Sequence, residues 1–536
     1  MRRLARSAAL AGLLAMLSAA CGGDSASPGD TADSGGEGAD AADGAPDGEA
    51  DAGDSTETAT DVPEDEGATE ADAEAAGCTP VAETCNGLDD DCDGLTDEDD
   101  PGLCPTGRFC TAGHCRSGGT LQWIRAIPSW TIPQGVAVDP SGQLTVVGCL
   151  RSTVDFGGGD RVPFGGSAGF VVSYDAEGNY LWDHVFGGDG DSLDKCARAV
   201  AVRSIDSGIA IAGSYTGTLS FGGPARTSNG GMDAYVVVLD RLGNWYWDEA
   251  WGGSGDDDAS ALAFPDADLF VGGSARGSFS IGGSPLSLGV EGDGYAAGMT
   301  PDGGGAVTWT KAISTTGEDA VTSVAVDGGS VVLGGYVAGI VDLGGGARAW
   351  AGGTDGFAAI VESRTGGWSA DRVFGGTGAD AVWGAARPEG SEAVVGGDFD
   401  QAIDFGGGMR TPLGTEGDAF TLKLGRDASW LWDDEVRTSG SPDRIGAVAT
   451  NGFGEFVVAG AQGGMPLVRR YARDGSIVWN TVFGGGEPDL ERSQVTGIAF
   501  GPGDTIVVTG SVTGSVFTES DGTVVVNGGF FALLED

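Results

Sequence analysis

The densest chemical signal in the sequence runs from Cys85 to Asp100, where carboxylates alternate with small or apolar residues. With Asp89 as position 1, Asp91 falls at 3, Asp93 at 5, Gly94 at 6, Leu95 at 7, Asp97 at 9 and Asp100 at 12, the spacing of a calcium loop. Carboxylate oxygens at alternate positions converge on one hard cation, Gly94 permits the sharp turn, and the backbone carbonyl of Leu95 completes the ring. Asp100 is shorter than the usual closing Glu, and Glu98 could compete for its role. No amphipathic helices flank the loop, so a structural calcium is expected rather than a sensor; a merely acidic turn is the plainer alternative. A site with a dissociation constant on the order of 0.1 to 1 mM would still be filled outside the cell.

Six cysteines, Cys78, Cys85, Cys92, Cys104, Cys110 and Cys115, surround this loop. In an exported chain such density implies a disulfide framework, whose connectivity the sequence leaves open. Zinc is the competing reading, but no CxxC pair is present and only His114 is close by. The segment resembles the metal-binding module with a CNGxDDDCDG core found in bacterial surface lipoproteins, over roughly residues 83 to 100.

Charge and composition limit the partners. Asp and Glu number 79 against 28 Lys and Arg, a formal net of −51 that repels phosphate backbones and anionic membranes, so nucleic-acid binding is not expected. Only two histidines, His114 and His184, are available for general acid–base chemistry, and the protein is not expected to be an enzyme.

The chain opens with Arg2, Arg3 and Arg6, then a short apolar run from Ala8 to Leu17 that is too brief to span a bilayer. Leu17-Ser18-Ala19-Ala20-Cys21 resembles a bacterial lipobox, with Ser18 where Leu is usual, which implies lipidation of Cys21. Residues 1–21 are therefore expected to be a lipoprotein signal peptide; an ordinary secretory signal is the alternative. Residues 22–77 contain no Lys, Arg or aromatic residue and are expected to form a disordered acidic linker. Residues 78–116 would be the Cys-rich calcium module, and the lipid would be the sole membrane contact of an exported protein at the outer membrane or cell surface.

From residue 120 onward the chain repeats with a period of about 60 residues. Trp strands ending in Gly turns recur at Trp182, Trp247, Trp368 and Trp479, with weaker copies at Trp123, Trp309 and Trp432. Between them lie Val- and Ala-rich strands such as Val324 to Asp327, runs ending in Gly such as Thr505 to Gly510, and strands announced by Phe or Tyr such as Ala234 to Val237. The pattern predicts an all-β, seven-bladed β-propeller over residues 120–536, with the small-residue strands innermost and the first strand, 121–127, completing the last blade. It resembles the bacterial β-propeller repeat family rich in Val-Ala-Val-Asp strands. Most units insert a hairpin between second and third strands; the sixth, near Ala461, has none. Cys149 and Cys196 would either bridge blades one and two or stay as buried thiols.

Turns after the Trp strands carry Asp189, Asp191, Asp256, Asp257, Asp258, Asp319, Asp380 and Asp489. On one face of a propeller these are expected to form an acidic crown, or simply solvated turns. The function read from the sequence is an adhesion or binding protein that displays a propeller to a surface ligand, protein or glycan. A structural envelope component and a carboxylate-dependent glycoside hydrolase or lyase are the alternatives.

Overall fold

The structure, a computed structural model, describes residues 84, 109–111, 114–116 and 118–535, apart from 129–130, 164–165, 188–195, 389–391, 440, 452, 484–492 and 520–521. All belong to Ala75–Asp536.

Seven four-stranded antiparallel sheets follow one another along the chain. Blade 1 runs Thr131–Val138, Leu144–Leu150, Ala168–Tyr174, Tyr180–Phe186. The first strands of blades 2 to 7 are Cys196–Val202, Asp258–Ala263, Ala320–Asp327, Asp380–Ala386, Arg444–Thr450 and Gln494–Phe500. Each touches the first strand of the next blade, and Gln494–Phe500 returns to Thr131–Val138. The chain is therefore a closed seven-bladed propeller with these strands innermost. Small residues occupy them because the axis is crowded. A Cβ added to Gly384 would stand 2.9 Å from the Cα of Ala447 in the next blade.

Blades are joined edge to edge by a repeated contact. The tryptophan near the start of each outer strand lies over a glycine in the turn of the following blade: Trp182 over Gly243, Trp247 over Gly305, Trp309 over Gly366, Trp432 over Gly475. A Cβ on Gly243 would meet the Trp182 ring at 2.8 Å, and its φ of +84° is one that L side chains rarely adopt. Blade 4 is the exception that explains the rule. Ala370 replaces the tryptophan there, and the turn it faces in blade 5 carries Ala428, at φ 58°, in place of glycine.

Closure uses the same parts. Thr120–Pro128 pairs with Gly522–Glu535 as the outer strand of blade 7, and Trp123 reaches Gly178 of blade 1. Although the chain is broken here, Gly119 N–H donates to the Glu535 carbonyl at 3.0 Å and lies under Trp479 of blade 6, as an unbroken turn would.

Blades 1 to 5 each insert a two-stranded hairpin; in blade 6 a Gly463–Gly464 turn links second and third strands directly, and in blade 7 the two strands extend into one long hairpin. In four blades an arginine of the hairpin grips a buried aspartate of the outer strand: Arg161–Asp183, Arg226–Asp248, Arg348–Asp371 and Arg410–Asp433, at 2.5 to 2.6 Å. Tyr180, Trp245 and Trp430 donate to the same carboxylates in blades 1, 2 and 5. A disulfide joins Cys149 of blade 1 to Cys196 of blade 2, with Cα atoms 4.6 Å apart.

Trp309→Ala, which removes a buried ring from a junction, is expected to cost about 3–5 kcal/mol in urea denaturation. Trp350→Ala, at an exposed loop position, is expected to change stability by less than about 0.5 kcal/mol.

Candidate functional site

The calcium-loop residues Asp89, Asp91, Asp93, Leu95, Asp97 and Asp100, the lipidation site Cys21, and Cys78, Cys85, Cys92 and Cys104 lie outside the described residues. So do Asp189, Asp191 and Asp489. Of the Cys-rich segment, Phe109–Thr111 pairs antiparallel with His114–Arg116, with Cys110 opposite Cys115. His184 contacts the Gly243 carbonyl through Nε2 at 2.8 Å on the outer wall of blade 1.

The expected acidic crown is corrected in part. Asp257, Asp319 and Asp380 are no more than 1% exposed, and each turns inward to accept N–H groups of its own loop. Asp257 accepts from Gly253 at 2.7 Å and from Arg276 at 3.0 Å, and Asp319 from Thr315 at 2.6 Å and Ala338 at 2.8 Å. Asp380 accepts from Gly376 at 2.6 Å. Asp443 repeats the pattern with Thr438 and Gly463. These residues tie one blade's outer strand to the next blade's first two strands. Of the remaining crown candidates, Asp258 is half-buried and paired with Arg198 at 2.7 Å, and Asp256 accepts from the Met232 N–H at 3.0 Å.

A second buried set faces the first. Asp233, Asp293, Asp355 and Asp418 begin the third strands of blades 2 to 5, each at 2% exposure or less. They accept turn N–H groups from Asn229, Gly289, Ala351 and Leu413. The blades thus bring together Asp233 with Asp257, Asp293 with Asp319, Asp355 with Asp380, and Asp418 with Asp443. Burial pushes the carboxyls of Asp233 and Asp319 up to about 6 and that of Asp380 to about 7, with the neighbouring aspartate adding to each rise. Burial also raises Asp257, Asp355, Asp418 and Asp443. Among the described residues no group of three or more His, Cys, Asp or Glu gathers to hold a metal; the carboxylates come in twos.

On this same face the propeller loses its symmetry. Every innermost strand carries a bulge that leaves one residue unpaired: Gln134, Arg198, Ser260, Thr322, Trp383, Gly446 and Thr496. Ser260, Thr322 and Thr496 donate their hydroxyls to a backbone carbonyl of the next blade, so there the bulge stitches the ring. In blade 5 the bulged residue is Trp383, and it collects partners from three blades. Its indole N–H donates to Asp398, the Arg444 guanidinium of blade 6 stacks 4.5 Å from the ring centroid, and Tyr336 of blade 4 lies 6.0 Å away. Arg444 also lies 3.4 Å from Asp398. With the Arg444 side chain 44% exposed and that of Asp398 27% exposed, the cluster is open to solvent. It offers an aromatic face, a cation and a carboxylate within one contact of each other, a combination suited to a polar ligand with a flat or apolar side. The sequence reading missed it. Trp383 was nevertheless visible as a large aromatic in a strand class otherwise made of small residues.

No family model matches the chain. The regulatory protein FlaEY of Caulobacter vibrioides is 27% identical over 175 residues, covering 31% of this chain and 17% of that protein. The chain therefore spans under a fifth of that relative. Solved structures share the architecture at 11% identity and a TM-score of 0.40. They include the Dos1 propeller, over 78% of this chain and 95% of that one, and a quinohemoprotein alcohol dehydrogenase from Comamonas testosteroni, over 77% and 76%. A second such dehydrogenase, ADHIIG of Pseudomonas putida HK5, matches over 78% and 76%. The expectation that this chain is not an enzyme finds no support in these likenesses, two of which are to quinohemoprotein alcohol dehydrogenases.

The buried aspartates set a pH dependence. Because their folded-state values lie above the ordinary carboxylate value of 3.8, the folded protein binds more protons than the unfolded chain from about pH 4 to 7. Their stabilising contribution is full in acid and is lost as pH rises through 6 to 7. In metal-free buffer the thermal midpoint is expected to fall between pH 5 and pH 8. Asp380→Asn, which cannot ionise, is expected to flatten that slope, as read by calorimetric scans across the range.

Proposed function

We propose that the protein is exported, anchored at the cell envelope through lipid on Cys21, and uses its propeller to bind a surface ligand at the corner formed by Tyr336, Trp383, Asp398 and Arg444. The observation that carries this reading is the departure of blade 5 from the sevenfold pattern. Where three other blades spend the bulged residue on stitching the ring, blade 5 holds a half-buried indole bracketed by a more exposed arginine and a carboxylate. A glycan is the ligand class these groups suit. Aromatic faces stack on the C–H side of a sugar ring, while Asp398 and Arg444 are placed to accept from and donate to hydroxyl or acid groups. The calcium loop and cysteines of residues 78–116 would brace the segment that joins the propeller to its acidic linker. Among the described residues no helix is long and apolar enough to cross a membrane, and the lipid would supply the membrane attachment.

A glycan array probed with the intact protein is expected to give saturable binding. Trp383→Ala and Arg444→Ala are expected to weaken it at least about tenfold, equivalent to about 1.4 kcal/mol, with little change in thermal midpoint. Binding that survives both substitutions would place the ligand elsewhere. Independently, metabolic labelling with palmitate should mark the wild-type chain and not Cys21→Ala; equal labelling of both would remove the anchor.

A further inference from the structure

The two buried aspartate sets obey an all-or-none rule. In blades 2 to 5 the third strand starts with Asp233, Asp293, Asp355 or Asp418, and the residue leading into the next innermost strand is Asp257, Asp319, Asp380 or Asp443. In blades 1, 6 and 7 the corresponding first positions are Ala168, Met465 and Gly528. Their partner positions are Lys195, by sequence alone, Ser493 and Thr131. No junction keeps one aspartate without the other. If each carboxylate served only to cap its own turn, the two positions would vary independently. Joint presence or absence indicates that the two answer to something they share.

Their geometry shows what is missing. Asp233, Asp355 and Asp418 each accept a turn N–H through Oδ2, at 2.9, 2.9 and 2.7 Å. In all three the buried Oδ1 has no hydrogen-bond partner. Among the described residues none of the eight aspartates forms an ion pair. Two adjoining carboxylates, buried and without a cation, are costly unless a counter-charge enters between them. At the junction of blades 2 and 3 Gly252 packs against both side chains: a Cβ there would stand 2.5 Å from Asp233 Cγ and 2.8 Å from Asp257 Oδ2, so any side chain at this position would push the two carboxylates apart. Carboxylate oxygens held together in this way are an all-oxygen donor set, which suits a hard ion.

We propose that the junctions following blades 2, 3, 4 and 5 each hold a calcium ion between their two aspartates, with backbone carbonyls and water completing the shell. These sites are separate from the loop at Asp89 to Asp100 and do not depend on the ligand-binding corner at Trp383.

The test uses the full chain carrying Asp91→Ala and Asp93→Ala, so that the N-terminal loop contributes nothing. Equilibrium dialysis against 1 mM calcium chloride followed by elemental analysis is expected to retain roughly four equivalents of calcium. Adding Asp355→Asn or Gly252→Ala should each remove about one; the second leaves every charge in place. Calcium should raise the thermal midpoint of the parent chain by about 5 °C or more over a chelator at pH 7.5, and magnesium should not reproduce the shift. Should the Asn variant not fold, the parent chain still decides the matter. Identical midpoints in calcium and chelator, or retained calcium unaltered by Gly252→Ala, would overturn the assignment and leave a shared proton as the counter-charge.

Discussion

The propeller depends on the seating of an outer-strand tryptophan over a turn glycine in the blade beyond. This contact joins separate sheets, whereas the hydrogen-bond ladders join strands only within a sheet. It requires two things together: a large flat ring on one blade and, on the next, a backbone that approaches closely in a conformation closed to most side chains. Blade 4 shows the coupling, since loss of the ring at Ala370 coincides with loss of the glycine at Ala428. The seam between the chain ends satisfies the same requirement with Gly119 and Trp479, so the ring has no weak junction at its break.

Much of this architecture was legible in the residues. Tryptophan strands at regular spacing, Val-rich strands ending in Gly, and repeats that open on an outer strand and end on a third strand together specify seven blades and how they close. The missing hairpin in blade 6 was legible too, because the Gly-Gly turn after an Asp or Ser and an apolar residue, present in blades 1 to 5, stops there. What the pattern hid was the direction of the acidic side chains. An aspartate in a glycine-rich turn reads as solvated, but Asp257, Asp319 and Asp380 are buried because a short loop leaves several N–H groups that an inward carboxylate can reach. Their partners were detectable in principle: each stands two residues before the aromatic that announces the third strand, as Asp233 does before Tyr235.

The corner at Trp383 was hidden for a different reason. Repeat reading rewards what recurs, and a site built from one exceptional residue in each of several blades is invisible to it. Tyr336, Trp383, Asp398 and Arg444 are far apart in sequence and meet only because successive innermost strands lie side by side. Symmetry supplies the frame, and the break in symmetry supplies the chemistry.

The strand that completes blade 7 comes from residues 120–128, while its partner is the last strand of the chain. Blades 1 to 6 can therefore assemble in the order of synthesis, but the opening strand must wait, its edge unmatched, until every later residue has emerged. The ring cannot lock until Gly522–Glu535 is there to receive the opening strand, so closure comes last and the locked state marks a propeller whose first and last blades have met.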